Sequence, residues 1–160
     1  MPIKMPPKEK ILEAWAAIGA ERIKLLSPLD SAAGEAEMSS SDGTKMYRLA
    51  WDANLYRSTD NATVWQGYPG YPILALLMLR GLLPLPRKFA ELLAPINWNK
   101  LNKAAKGNYK AAVEEAFKIL GLDHTTIDQI NKLVQETYEL LGDLDIKVSR
   151  YGRSAKSSER

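Results

Sequence analysis

The run YPILALLMLRGLLPLP, residues 71–86, sets the first limit on the fold. Pro72 suits the first turn of a helix, and Pro84 and Pro86 end it, so the run predicts a helix over about 72–83. Apolar side chains leave this helix in every direction, and such a helix has to be buried on all sides. The remaining chain must therefore wrap it. With Arg80 inside and prolines on both flanks, the run reaches about half of the roughly 20 apolar residues that a membrane span requires. The N-terminus, MPIKMPPKEK, has no apolar signal core. A length of 160 residues gives room for one core. The expectation is a single soluble, cytoplasmic domain.

Residues 1–7, with three prolines, read as an extended arm ahead of a domain over 8–146. Ile11, Trp15, Ile18, Arg22 and Leu25 recur at helical steps and predict a helix over 8–26, stopped by Ser27-Pro28. The small, polar and acidic segment 30–44 reads as a loop. From Lys45 to Arg57 the pattern alternates, with Tyr47, Leu49, Trp51, Ala53 and Leu55 on one face of a strand. Met46, Arg48, Ala50, Asp52, Asn54 and Tyr56 take the other. STDN, residues 58–61, is turn chemistry, and ATVWQG is read as the returning strand of a β-hairpin. An even loop puts Trp65 beside Tyr56 and Arg48; an odd loop reverses the faces. Short helices follow at about 87–94 and 98–106, the second closed by Gly107. Asn108 caps the next helix and Gly121 stops it. Thr126 and Gln129 have capping-box spacing for a leucine-rich helix over about 126–142. Residues 147–160 are basic and read as a flexible tail. The fold class is α+β: a small antiparallel sheet built on a central β-hairpin, packed by about six helices.

The chain has no cysteine and one histidine, His124. Disulfides, cysteine nucleophiles and histidine-cluster zinc sites are excluded. GxxxxGK[ST], GxGxxG and HExxH are absent, and the prolines of GYPGYP remove backbone donors that a phosphate loop offers. The reading is a non-enzymatic binding protein with no catalytic residue, metal or cofactor. Charge points to what it binds. Counting Lys and Arg against Asp and Glu, residues 80–110 carry +6 and residues 111–146 carry −6. Segregation of this kind suits an anionic partner or subunits that meet through opposite patches. Single-stranded nucleic acid needs cations for its phosphates and flat side chains for its bases. Tyr56, Trp65, Tyr68 and Tyr71 are the candidate stacking residues; Arg48, Arg57, Arg80, Arg87 and Lys88 are the candidate phosphate contacts. Trp51, Tyr47, Trp15 and Trp98 are assigned to packing, while Tyr56 and Trp65 fit either role. Arg80, within the buried helix, either pairs with an acid or lines a cleft.

Ile127, Ile130, Val134 and Leu141 form a 3-4 stripe on the last helix. That stripe is either core or an oligomer contact, and a homodimer or homotetramer is the expectation if it is a contact. The hairpin YRLAWDANLYRSTDNATVWQG, the helices after it and the leucine-rich helix near the C-terminus give the chain its organisation. Over about 8–145 that organisation resembles the archaeal ThermoDBP and ThermoDBP-related proteins. The resemblance implies sequence-tolerant binding of single-stranded DNA without an OB-fold, in an aromatic cleft with a basic rim. It also implies a homo-oligomer from a thermophile. RNA is the alternative polymer. The competing reading is an assembly subunit whose hairpin aromatics are core or oligomer contacts.

Overall fold

The structure, a computed structural model, describes residues 2–151. It is α+β, with a five-stranded sheet in the order β1–β2–β3–β4–β5. The strands are β1 (Ile23–Leu25), β2 (Ala33–Ser39), β3 (Met46–Asp52), β4 (Leu55–Ser58) and β5 (Lys147–Arg150). β1 to β4 pair antiparallel, and β5 joins β4 in parallel. The helices are α1 (Lys10–Gly19), α2 (Tyr71–Leu79), α3 (Arg87–Leu93), α4 (Trp98–Ala104), α5 (Tyr109–Leu120) and α6 (His124–Asp143). A π-helical turn, Ala62–Gln66, lies between β4 and α2.

The all-round apolar helix sits at the centre. Every residue of α2 from Pro72 to Met78 is buried, and it packs on α1 and on the inner face of β3 and β4. α1 contributes Ile11, Trp15 and Ile18 to the same core, as their spacing requires. It stops at Gly19, well short of residue 26. A Cβ on Gly19 would meet the Ala90 carbonyl oxygen at 2.0 Å, so α3 can approach only a glycine here. The chain then reverses through Glu21 at φ 57, with the Arg22 N–H donating to the Ala17 carbonyl, and continues as β1.

The sheet differs from the expected hairpin in three places. First, the segment read as a loop contains β2. Ala36 and Met38 point into the core while Glu35 and Glu37 point out, a period-two pattern disguised by small side chains. Second, the β3–β4 reversal is the two-residue turn Ala53–Asn54, with Asp52 paired to Leu55 and Ala53 at φ 54. No glycine marks it, although this φ favours one. Third, Lys147–Arg150 is not tail but β5; its Lys147 N–H donates to the Asn54 carbonyl at 2.9 Å. The rest of the predicted tail, 152–160, lies outside the described residues.

ATVWQG is therefore not a strand. Asp60, itself buried, accepts from the Thr63 backbone N–H at 3.1 Å and the Thr63 hydroxyl at 2.8 Å, which winds the chain into the π-helical turn. On the helical side, Asn108 caps α5 through the Ala111 N–H, and Gly121 closes it at φ 64. α6 begins at His124, two residues before the capping-box reading, because the Asp123 carboxylate accepts from the Thr126 N–H at 2.8 Å. Ile130, Val134 and Leu141 are buried in the chain's own core, and Ile127 packs half-buried beside them. The expected oligomer stripe is thus the core-facing side of an amphipathic helix.

Candidate nucleic-acid interface

Alternation along the strands divides the sheet into two faces. Leu49, Trp51, Tyr56 and Ser58 point toward α2 and are buried. Glu35, Arg48, Asp52 and Lys147 are exposed on the opposite face, with Glu37 and Arg57 half-buried among them. Charge is divided across this face. In net terms Glu35 and Glu37 on β2 outnumber Lys24 on β1, whereas Arg48, Arg57 and Lys147 on β3, β4 and β5 outnumber Asp52 on β3. The Arg48 guanidinium lies 5.3 Å from the Tyr151 ring centroid, just past β5. It also approaches Glu35 at 3.8 Å, and both side chains are at least half exposed, so the ion pair contributes little.

Trp65 stands on the π-helical turn. It is 73% exposed, and its turn packs beside β5. The turn is fixed from beneath. Asp60 accepts from the Ser58 and Thr63 hydroxyls, and the Thr63 hydroxyl oxygen accepts the Gly70 N–H at 3.1 Å. A Cβ on Gly70 would lie 1.9 Å from Asp60 Oδ2, so position 70 admits only glycine. Lys4 from the N-terminal arm donates to the Gln66 carbonyl at 2.7 Å. A large indole displayed on a braced turn is unusual, since tryptophan is on average highly buried.

The other predicted contacts are dispersed. Tyr56 is 1% exposed and directly opposite Trp51 in the sheet, which rules out stacking on a base. The early turn at 53–54 reverses the face that the predicted loop at 58–61 assigned to it. Arg80 neither pairs with an acid nor lines a cleft. Its Nε donates to the Tyr56 hydroxyl at 3.1 Å, and its Nη1 to the Leu29 and Ser31 carbonyls. Its guanidinium lies 4.8 Å from the Trp51 ring, whose Nε1 also donates to the Ser31 carbonyl. Tyr68 is buried below Lys4. Tyr71 is half-buried, edge-to-face with Tyr47, with the Arg22 guanidinium 5.7 Å from its ring. Arg87 and Lys88 are exposed on α3, whose main neighbour is α1. Lys147 and Tyr151 were missed, although the alternation in IKVSRY was their signal.

Two concavities complete the surface. A groove of about 650 Å³ between α1, α5 and α6 has Leu12, Val113, Phe117 and Val134 in its floor. A smaller polar cavity of about 130 Å³ lies where α1, α4 and the π-helical turn meet the β2–β3 connection. At its base Glu13 is 4% exposed and 3.5 Å from Lys10. Burial pushes the Glu13 carboxyl above the usual range, against the pull of the Lys10 charge. Burial likewise raises the Tyr47 and Tyr71 phenols. Among the described residues no group of three or more His, Cys, Asp or Glu is placed to hold a metal ion. Among them, too, no helix is long and apolar enough to cross a membrane.

No curated protein and no solved structure matches the chain. Over residues 3–147, which take in the π-helical turn and strands β1 to β4, the chain belongs to the family described as Uncharacterised conserved protein UCP014422.

Proposed function

We propose that the protein binds single-stranded nucleic acid, DNA foremost, across the β3–β5 half of the solvent-facing sheet surface. Trp65 stacks on a base, and Arg48, Arg57 and Lys147 meet the phosphates. The observation that carries the reading is the exposed Trp65 on a braced turn that packs against β5, the strand that carries Lys147. An indole fixed in place loses little entropy when a base covers it, and such stacking contributes about 1–3 kcal/mol per base whatever the sequence. The carboxylates of Glu35 and Glu37 repel phosphates and confine the strand to the basic half. This is the activity that the resemblance to the ThermoDBP proteins implies; Trp65, Arg48 and Arg57 are among the contacts expected from the sequence, and Lys147 is added to them.

The test is a tryptophan-fluorescence titration of the full chain with oligo(dT), oligo(U) and duplex DNA. Oligo(dT) is expected to quench the signal, and Trp65→Ala to weaken binding by about 1–3 kcal/mol. Three phosphate contacts on a single strand give a slope of log affinity against log salt of about −2. Unchanged affinity in folded Trp65→Ala, or a slope near zero, overturns the reading.

A further inference from the structure

The polar cavity is not accounted for by the sheet surface, yet it shares a structural element with it. Asn61 and Ala62, at the start of the π-helical turn, line the cavity, and Trp65 stands on the same turn. Asn61 is exposed and marks the mouth. The remaining walls are the Tyr47 and Tyr71 rings, the carboxamides of Asn99 and Asn102, and the Lys10–Glu13 pair.

The chemistry narrows the occupant. A cation finds no available carboxylate. Asp60 already accepts three hydrogen bonds, from Ser58 and twice from Thr63. Glu13 is neutralised by Lys10 at 3.5 Å and accepts from Asn102 Nδ2 at 3.4 Å. A phosphate would face both of those acids. What remains is neutral, flat and able to donate as well as accept. Asn99 already donates one N–H to Asp42 and Asn102 one to Glu13, so each carboxamide keeps a second N–H donor and its carbonyl acceptor, the combination that reads base edges. Tyr47 and Tyr71 meet edge-to-face, with centroids 6.3 Å apart and planes at 85°, so they present one ring face and one ring edge. Size sets the last limit. A cavity of about 150 Å³ holds a single six-membered aromatic ring, and this one measures about 130 Å³.

We propose that the cavity takes one pyrimidine base, held by Asn99 and Asn102 against the Tyr47 and Tyr71 rings. The inference deepens the nucleic-acid reading and relies on it for the source of the base: a nucleotide flanking the one stacked on Trp65. A free nucleoside would bring the same chemistry, and the experiment separates the two sources.

The full chain is titrated with cytidine, uridine and adenosine, followed by amide and tyrosine-ring NMR, and in parallel with oligo(dT). The pyrimidine nucleosides are expected to shift Tyr47, Tyr71 and Asn102 resonances, and adenosine to bind at least several-fold more weakly. Asn102→Ala is expected to weaken pyrimidine binding roughly tenfold, as loss of a base-edge contact does. Asn61→Ala, at the exposed mouth, serves as the second variant. If no nucleoside perturbs these residues in the wild-type chain, or adenosine binds as well as cytidine, the base pocket is wrong. Oligo(dT) binding that persists in that event keeps the sheet surface and removes only the pocket. Pyrimidine binding without any oligo(dT) binding keeps the pocket, with a free nucleoside as its ligand, and removes the sheet surface.

Discussion

Two arginines in this protein rest against aromatic rings, in very different settings. Arg80 sits 4.8 Å from Trp51 and Arg48 sits 5.3 Å from Tyr151. Arg80 donates to the Tyr56 hydroxyl and to two backbone carbonyls, so its donors serve the fold. They tie the 27–32 connection and the end of α2 to the β3–β4 hairpin. Arg48 has a half-buried ring and a weak ion pair as partners and keeps donors for a ligand. A cation over a ring contributes about 0.5–1 kcal/mol when exposed and about 2 kcal/mol or more when desolvated. Residue type is the same in both places; accessibility decides whether the pair holds the protein together or holds something else.

The two tryptophans give the strongest way to break this contrast. Trp51→Ala is expected to reduce stability by about 3–5 kcal/mol, because it empties a core site and removes one of the two donors to the Ser31 carbonyl. Trp65→Ala is expected to shift stability by no more than about 0.5 kcal/mol while weakening binding by about 1–3 kcal/mol. Urea unfolding of both variants reads the difference, and a comparable loss in the two would abolish the distinction. Next come the arginines. Arg80→Met leaves the Tyr56 phenol and the Leu29 carbonyl without the donor that Arg80 supplies, while Trp51 still serves the Ser31 carbonyl, and is expected to cost about 2–4 kcal/mol. Arg48→Met should leave the urea midpoint almost unmoved and lower affinity for oligo(dT).

The smallest expected effect comes from two carboxylates in opposite settings. Glu13 is buried and its pKa is raised by that burial, so the folded chain holds its proton more tightly than the unfolded chain. Stability therefore falls as pH rises from the ordinary glutamate value through the raised one. Asp42 is exposed and is held well below the usual carboxylate range by the Thr44 hydroxyl and backbone N–H, then by Ser40 and Asn99. Its contribution is present above the ordinary aspartate value and is lost as pH falls through its depressed one. Carboxyl-carbon NMR should place the two midpoints on opposite sides of the normal range. Glu13→Gln should flatten the upper slope of stability against pH, and Asp42→Asn the acid limb.

How much of this could be read in advance follows from the range of the forces. α2 was legible because an all-round apolar helix has one fate. The Asn108 cap and the Gly121 stop were legible because they act within one turn of helix. Tyr56 was misplaced by a local ambiguity: the reversal uses Ala53 at φ 54, and alanine carries no turn signal. β2 was hidden because Ala, Gly and Ser fill its inward and outward positions with little contrast. β5 was hidden by distance. Its partner is β4, with Leu55 beside Lys147, and no local window contains both. Trp65 was identified as a surface candidate, but on a strand rather than on the π-helical turn that displays it. The polar cavity draws on separate segments of the chain, and among its walls Tyr71 had been singled out as a contact and Tyr47 as packing.

The parallel pairing of β5 also has a consequence for how the chain is made. β4 leaves the ribosome early, but the strand that covers its outer edge cannot exist until Lys147 has been translated. At about 5–20 residues per second, that edge stays open on the nascent chain for several seconds or longer. During that interval its backbone amides and carbonyls are open to pairing with any extended segment nearby, which makes the arrival of β5 the step that seals this edge against its neighbours.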